Sequence, residues 1–333
     1  MKKICIIKLG ALGDVLRTLP ILLGIKEQFP ESTISWITKK ESLEIVDSST
    51  YVDKVYVLPV ELSENFDILY NFDIETEAVE LAKKIRADKK LGFTSENNFL
   101  SAFNVGAEYY LNTIFDDELK KINKKTYQEM MFMAAEMQYK KQHHGIFLKK
   151  EHENYSQNFM NENKIKTGKI LGIHIGAGSR WPSKVWHRDN LKELIIKAKK
   201  MDFEIIIFGG PDESLEIEEL KKYFSGLEMK IHANNPENSI MEFASLVKKC
   251  DFMICSDSFA LNMSLALKKP TIGLFFCTPP NEIEEYGFLK KIVSPMLYDF
   301  FPERMDVYSE ELVKSISADE VLSVIVVLKN TNK

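Results

Sequence analysis

Apolar segments long enough for one buried strand alternate with amphipathic segments in both halves of this chain. The strand-like segments of the first half are KICIIKL, TISWIT, KVYVLP, FDILYNF and KKLGF. Those of the second half are KILGIHIG, FEIIIFGG, MKIHA, FMICSDS and PTIGLFF. Between them, segments such as ILLGIKEQF and TEAVELAKKIRA repeat apolar residues every three or four positions, which is typical of helices. Strands that alternate with helices pair in parallel, so the chain is predicted to be an α/β protein with two doubly wound domains facing each other.

The length of 333 residues also favours two domains of ordinary size. We predict a first domain at residues 1–158, a linker at 159–169, a second domain at 170–310 and a C-terminal helical segment at 311–333. The polar, Asn-rich stretch from Lys149 to Lys169 is predicted to hold a helix and the linker. Residues 95–145 interrupt the alternation, and their aromatic and methionine-rich patterns predict helices added to the first domain.

The composition argues against several classes of protein. Hydrophobic residues make up 45% and charged residues 28% of the chain, a balance typical of a globular fold. The net charge of −5 and the pI near 5.8 argue against binding to nucleic acid. We expect no secretory signal and no membrane span, hence a cytoplasmic protein. The four cysteines lack CxxC spacing, so we expect reduced core thiols rather than metal ligands.

Ligands of parallel α/β sheets bind at the carboxyl ends of the strands. This rule directs attention to the turns after Leu9, His174, Phe208, Cys255 and Phe275. Each of these turns carries polar or glycine residues whose role has an ordinary structural alternative.

Asp14 follows the first predicted strand, within IKLGALGDVLRTLP. As an N-cap it would start a helix with Pro20 in its interior, where proline removes a hydrogen bond and clashes with the preceding turn. The longer helix more naturally begins near Pro20, so Asp14 belongs to a separate short turn or a kinked first segment. This weakens the capping interpretation without abolishing it and leaves a catalytic base as the other interpretation. Lys8 and Arg17 are close enough in sequence to tune Asp14 or pair with it.

The loop HIGAGSRWPSKVWHRDN combines bare backbone with positive charge. Gly176 and Gly178 would let a phosphate approach backbone N–H groups, and Arg180, Lys184 and Arg188 supply cations. The loop matches neither the Walker pattern nor GxGxxG. The alternative is a surface loop with solvated cations, anchored by its tryptophans.

The segment CSDSFALNMSLALKKP brings Asp257 and Ser258 to the start of a predicted helix. Free N–H groups at residues 258–260 would bind an anion there, and Asn262 shares a helix face with Ser258. Asp257 as an ordinary N-cap, worth about 1 kcal/mol, is the alternative.

Two further turns remain ambiguous between binding and local structure. In GGPDE, Glu213 would accept hydrogen bonds from a ribose or base, or Asp212 and Glu213 would only complement the dipole of the next helix. In FFCTPPNEIEEYG, Thr278 would face the same site, or the prolines would only form a rigid connection to a surface helix.

Together these motifs resemble those of the family 9 glycosyltransferases, which include the heptosyltransferases of bacterial lipopolysaccharide core assembly. IKLGALGDVLRTLP resembles that family's strand, Gly-rich turn and Gly-Asp. HIGAGSRWPSKVWHRDN is similar to its lysine-bearing loop with the Trp-Pro…Lys-x-Trp signature. CSDSFALNMSLALKKPTIGLF resembles its Asp-[Ser/Thr]-Gly-x-x-His helix start. The likeness covers nearly the whole chain.

The resemblance implies a GT-B architecture, with two facing Rossmann-like domains, the active site in the cleft between them, and a last helix that returns toward the first domain. Asp14 corresponds to the general base, and Lys184 to the lysine that meets the donor phosphate. The implied donor-binding positions are Gly176, Gly178, Arg180, Glu213, Asp257, Ser258, Phe259, Ala260 and Asn262. The implied acceptor-binding positions are Lys8, Gly13 and Arg17.

Two residues depart from the family pattern. Phe259 stands where the family often has glycine, and Asn262 where it often has histidine. A side chain at 259 narrows the approach to the backbone amides, and Asn262 can donate a hydrogen bond to phosphate but carries no charge. Both changes bear on which donor is used.

The resemblance implies inverting transfer of a sugar, usually heptose from ADP-heptose, to a hydroxyl of a lipid-anchored lipopolysaccharide-core or related glycan. We expect no metal and no cofactor besides the nucleotide-sugar donor. A lipid-anchored acceptor would bring the enzyme to the inner face of the membrane. The alternatives are a nucleotide-sugar 2-epimerase of the same fold and a non-catalytic nucleotide-sugar-binding protein. The absence of GxGxxG after any predicted strand disfavours a nicotinamide dehydrogenase.

Overall fold

In a computed structural model, which describes residues 1–331, the chain divides into two compact units. The first unit comprises Met1–Phe147 together with Asn281–Glu284, and the second comprises Leu148–Pro280 and the chain from Glu285 onward. Each unit contains a six-stranded sheet in which parallel pairing dominates, which confirms the predicted α/β class. The predicted domain bounds at residues 158, 170 and 310 stay predictions, and the last two residues of the segment 311–333 lie outside the described residues.

The first unit holds strands and helices in alternation. Its strands are β1 (Lys3–Ile7), β2 (Thr33–Thr38), β3 (Lys54–Val57), β4 (Asn65–Asn71), β5 (Arg86–Glu96) and β6 (Phe99–Ala102). Its helices are α1 (Leu12–Thr18), α2 (Ile21–Gln28), α3 (Leu43–Asp47), α4 (Thr76–Lys84), α5 (Val105–Phe115), α6 (Asp117–Ile122) and α7 (Tyr127–Ala134). The strand order is β3-β2-β1-β4-β5-β6, so the carboxyl ends of β1 and β4 lie side by side.

The predicted break before Pro20 is confirmed. α1 ends at Thr18, and α2 begins at Ile21 with Pro20 as its N-cap. Proline is tolerated there because the first N–H groups of a helix have no intrahelical partner. The short helix α1 is therefore a separate element, carried by the turn that follows the buried strand β1.

Helices α5, α6 and α7 confirm the prediction for residues 95–145, but β6 was not predicted. This strand pairs antiparallel with β5 through a two-residue turn at Asn97 and Asn98, between the partners Glu96 and Phe99. Both asparagines have positive φ, 50° and 67°. Asparagine tolerates this conformation, which is the one that tight hairpin turns require.

The second unit repeats the plan. Its strands are β7 (Ile170–His174), β8 (Glu204–Phe208), β9 (His232–Ala233), β10 (Phe252–Ser256), β11 (Thr271–Phe275) and β12 (Leu289–Val293). Its helices are α8 (Lys150–Asn163), α9 (Arg188–Lys200), α10 (Ser214–Gly226), α11 (Ile240–Lys249), α12 (Phe259–Ala266), α13 (Leu297–Phe300), α14 (Glu310–Lys314) and α15 (Ala318–Thr331). The order β12-β11-β10-β7-β8-β9 is parallel throughout.

The last helix, α15, packs on the core of the second unit. Val321 and Ile325 are fully buried there, and Leu328 belongs to the same cluster. The implied return of this helix toward the first domain stays a prediction.

All four cysteines are free and buried, as expected for core thiols. Burial raises the pKa of Cys5 and of Cys250 far above the usual value for a thiol. Among residues 1–331, no helix has the length and apolar character needed to cross a membrane.

Candidate active site

Asp14 lies in the first turn of α1 without capping that helix. Ala11 is the N-cap, and its carbonyl accepts the Asp14 N–H at 2.8 Å. The carboxylate Oδ1 instead pairs with Nη2 of Arg17, one turn further along, at 2.8 Å. The side chain remains 37% exposed, so the carboxylate is fixed on one side and open on the other.

The charges around Asp14 keep it ionised. Burial alone would raise the pKa of its carboxyl, but the positive charges of Arg17 and Lys8 hold this pKa below its usual value, against an opposing effect of Asp73. An ionised carboxylate that is fixed but accessible has the form a general base needs.

Arg17 is held by two contacts within the first unit. Its guanidinium pairs with Asp14 and lies 3.8 Å from the centre of the Tyr127 ring. The Tyr127 hydroxyl in turn lies 3.0 Å from the hydroxyl of Thr18. Gly13, the second residue of α1, is only partly buried. Arg17 therefore orients the carboxylate rather than standing as an unpaired cation.

Asp73, which the sequence pattern did not single out, organises the turn that carries Asp14. Its Oδ2 accepts the N–H groups of Leu9 at 2.9 Å and Gly10 at 2.7 Å, and it lies 3.2 Å from Nζ of Lys8. Lys8 is thus a buried, paired lysine. The available signal was an aspartate just after the predicted strand FDILYNF, but the sequence does not reveal which strand lies beside it.

In the second unit, the structure brings together Lys184 and Asp257. Nζ of Lys184 lies 3.3 Å from Oδ2 of Asp257, which follows β10. Lys184 ends a 3-10 turn at Pro182–Lys184. Ser183 anchors this turn, because its hydroxyl donates to the Val307 carbonyl at 2.9 Å and accepts the Ser309 N–H at 3.0 Å.

The other two cations of this loop behave differently. Arg180 is exposed, and its guanidinium lies 4.7 Å from the centre of the Trp181 ring. Arg188 begins α9 and pairs with Glu216 at 3.1 Å and Glu219 at 2.6 Å on α10. These two carboxylates on α10 offset the positive charge that Arg188 adds to the loop.

The start of α12 has no capping side chain. Its N-cap is Ser258, with no side-chain capping bond, so Asp257 is not the N-cap. The Ser258 hydroxyl is buried without a hydrogen-bond partner. Asn262 donates its side-chain N–H back to the Ser258 carbonyl at 3.1 Å. Ala260, the second residue of α12, is fully buried.

Phe259 belongs to an aromatic cluster. Its ring centre lies 5.9 Å from that of Phe243 on α11. Phe243 also contacts His174 at 6.0 Å and Phe208 at 5.5 Å between ring centres. The Phe259 ring is therefore held by its neighbours at the first position of α12.

Glu213 and Gly176 meet although they come from different turns. Oε2 of Glu213 accepts the Gly210 N–H at 2.8 Å, so this oxygen has a structural role within its own turn. A Cβ at Gly176 would collide with the Glu213 carboxylate. At Gly178, φ is +74°, a conformation that favours glycine.

Thr278, in the turn after β11, remains a candidate ligand-binding residue. It is buried, and its hydroxyl has no hydrogen-bond partner. Throughout the part of the chain that the structure describes, no group of three or more His, Cys, Asp or Glu side chains is arranged to hold a metal ion.

Two doubly wound α/β units, each with a six-stranded sheet, are the components of the GT-B fold of glycosyltransferases. The chain belongs to glycosyltransferase family 9 (heptosyltransferase), whose model matches residues 58–306. The turn that carries Asp14 precedes the matched range.

Known proteins resemble the chain over nearly its whole length. Lipopolysaccharide heptosyltransferase 1 of Campylobacter coli is 25% identical over 96% of this chain and 100% of its own. The glycosyl transferase family 9 structure from Veillonella parvula has a TM-score of 0.78 at 16% identity, covering 98% of this chain and 97% of that chain. E. coli heptosyltransferase WaaC, solved with ADP-2-deoxy-2-fluoro heptose, has a TM-score of 0.65 at 14% identity, covering 97% of this chain and 99% of that chain. At these identities, the solved structures establish a shared fold.

Proposed function

We propose that this protein transfers heptose from ADP-heptose to a hydroxyl of a lipopolysaccharide-core glycan, with inversion at the anomeric carbon. Family membership, the Campylobacter coli relative and the heptose-nucleotide analogue bound to WaaC support the choice of sugar and donor. The observation that carries the proposal is the Asp14 carboxylate, which Arg17 fixes and which is 37% exposed.

In the proposed reaction, the acceptor hydroxyl gives its proton to Asp14 as its oxygen attacks the anomeric carbon of the donor. The bond from that carbon to the phosphate oxygen breaks, and ADP leaves with the electron pair. One displacement inverts the anomeric centre. General base catalysis of this kind contributes roughly 10²–10⁴-fold to the rate.

The second unit supplies the groups that would stabilise the leaving ADP. Lys184, oriented by Asp257, and the free N–H groups at the start of α12 would neutralise the diphosphate. Arg180, Gly176, Gly178 and Glu213 complete the proposed donor site. Because Asp14 belongs to the first unit, the proposal requires both units to act in one reaction.

Metal independence is part of the proposal, since the cation of Lys184 and the helix N–H groups would replace a divalent ion at the diphosphate. Transfer should continue unchanged in EDTA. Loss of transfer in EDTA, restored by one divalent metal, would contradict this part.

The proposed acceptor is lipid-anchored, which places the enzyme in the cytoplasm at the inner face of the membrane. Lys8, Gly13 and Arg17 lie at the acceptor end of the site in this scheme, with Lys8 and Arg17 acting through the carboxylates that they bind.

The Asp14→Asn variant tests the proposal in an assay with ADP-heptose and a lipid acceptor extract. We expect transfer to fall by roughly 10²-fold or more, while ADP binding measured by calorimetry stays at the wild-type level. Near-normal turnover would refute the assignment of the base. Interconversion of donors without acceptor would identify a 2-epimerase, and binding of donor without transfer by the wild type would identify a non-catalytic binding protein.

A further inference from the structure

The geometry points to Asp73 as a positioning residue for the reaction: it holds the turn that carries Asp14 and keeps the Lys8 ammonium from pairing with the base. This inference rests on the proposed function, in which Asp14 accepts the proton of the acceptor hydroxyl.

Asp73 is bound from every side. It is 1% exposed and follows β4, whose residue Asn71 is in register with Ile7 of β1. Its Oδ2 accepts the N–H groups of Leu9 and Gly10, the two residues at the start of the β1–α1 turn. Its Oδ1 accepts the Glu75 N–H at 2.9 Å. The carboxylate thus reaches across from one strand to fix the turn that follows the neighbouring strand.

Three charged groups surround Gly10. A Cβ built there would lie 3.2 Å from Oδ2 of Asp73, 3.3 Å from Nζ of Lys8 and 3.6 Å from Oδ2 of Asp14. Both carboxylates therefore lie near the Lys8 ammonium, which pairs with Asp73 at 3.2 Å and not with Asp14. At such distances in a partly buried site, each charge strongly affects the others.

The charged and titratable groups that act on Asp14 and on its neighbours Lys8 and Arg17 come from several elements of the first unit. Lys8 lies on the β1 side, Arg17 on α1 itself, Asp73 on the β4 side, and Tyr127 and Tyr110 on α7 and α5, with Glu282 acting on Arg17. Asp73 is the carboxylate that offsets Lys8. Without the negative charge of Asp73, the attraction of the Lys8 ammonium for Asp14 would be unopposed. The pKa of Asp14 would then be lower, and Asp14 would be a weaker base.

The first test is a mutant cycle on Asp73 and Lys8. Asp73→Asn keeps an oxygen acceptor for the turn but removes the charge, and we expect kcat to fall by roughly 10–100-fold with the KM for ADP-heptose unchanged. Adding Lys8→Met should then recover roughly tenfold of that loss, since the unbalanced ammonium is gone. A purely structural role predicts no recovery, which would overturn the inference.

The matched control is Asp53→Asn. Asp53 also accepts a strand N–H in the same unit, that of Ile34 at 2.8 Å, but it is not among the charged groups that act on Asp14. Its replacement should leave kcat within about twofold of wild type. A loss as large as that of Asp73→Asn would overturn the inference.

Lys8→Met alone gives a second, independent measurement in case Asp73→Asn does not fold. Loss of the ammonium leaves Asp73 unopposed, so the pH at which kcat/KM for the acceptor falls on the acid side should move upward. An unmoved acid limb would overturn the role of Asp73. Failure of the proposed function itself is recognised separately, because Asp14→Asn would then retain transfer.

Discussion

Gly176 shows how a single position depends on a neighbour far away in sequence. The Glu213 carboxylate occupies the volume that a side chain at 176 would need. The same carboxylate holds the Gly210 N–H, so the glycine and the glutamate fix two strand-to-helix turns together.

We predict that Gly176→Ala displaces the Glu213 carboxylate, with loss of about 1 kcal/mol of stability from its bond to Gly210 and weaker binding of ADP. Thermal unfolding and calorimetric titration with ADP measure the two effects. Gly226→Ala, at the end of α10 with no atom within 4 Å of an added Cβ, is the control and should be neutral or slightly stabilising. ADP affinity equal to that of the wild type would contradict the prediction.

The role of a residue could be predicted from the sequence where it depends on neighbouring residues, but not where it depends on partners from distant segments. Pro20 separates Asp14 from a capping role through the spacing of neighbouring residues alone. Asp73 was missed because its role exists only once β4 lies beside β1. The acceptor contacts of Lys8 and Arg17 stay predictions, and their partners Asp73 and Tyr127 were not foreseen because they come from remote segments.

Two strands that the sequence pattern did not predict, β6 and β12, lie at the edges of their sheets. β6 has four residues and depends on the Asn97–Asn98 turn, and β12 reads LKKIV, with Lys290 exposed. Edge strands lack the continuous apolar character of strands buried on both faces. The central strands of both sheets were predicted because that character is strong, whereas strand order was not predictable from periodicity.

We predict that helix α15 contributes strongly to the stability of the second unit. Ile325 is fully buried in the core cluster, so Ile325→Ala should destabilise by about 2–5 kcal/mol, through lost apolar contact and a residual cavity. Urea unfolding followed by circular dichroism measures this.

The matched control on the same helix is Val327→Ala. Val327 is 56% exposed, and its replacement should change stability by less than about 0.5 kcal/mol. Equal effects of the two variants would mean that α15 does not pack as described.

For the molecule as a whole, the lowered pKa values of three histidines predict how the free energy of unfolding changes in mild acid. Burial lowers the pKa of His144 in the first unit, and of His174 and His232 in the second, to about 4 each. These groups stay neutral in the folded chain but take up protons in the unfolded chain below its ordinary pKa near 6.5.

Stability should therefore fall as the pH decreases from 6.5 toward 4, by up to about 1.4 kcal/mol per pH unit for each histidine. Melting temperatures measured across this window test the sign. His174→Gln should flatten the dependence in the second unit, whereas an unchanged slope would show that this histidine is already protonated when folded.

The first unit is not a continuous stretch of sequence, because it includes Asn281–Glu284. Asn281 donates to the Asn123 carbonyl at 3.1 Å, Tyr139 donates to Glu284 at 2.8 Å, and Ile283 is buried. Chimeras between relatives must therefore keep residues 281–284 together with the rest of the first unit. A chimera with a single crossover at Phe147–Leu148 would set a foreign tetrapeptide against Asn123 and Tyr139.

We predict that such single-crossover chimeras with the Campylobacter coli relative fold less well than chimeras that also carry this chain's residues 281–284. Losing the bond to the Glu284 carboxylate alone should cost about 1.5–3 kcal/mol. The two chimera designs are compared by soluble yield and melting temperature, and equal values for both would contradict the prediction. Three crossovers, after residues 147, 280 and 284, would then define the exchangeable module of this enzyme.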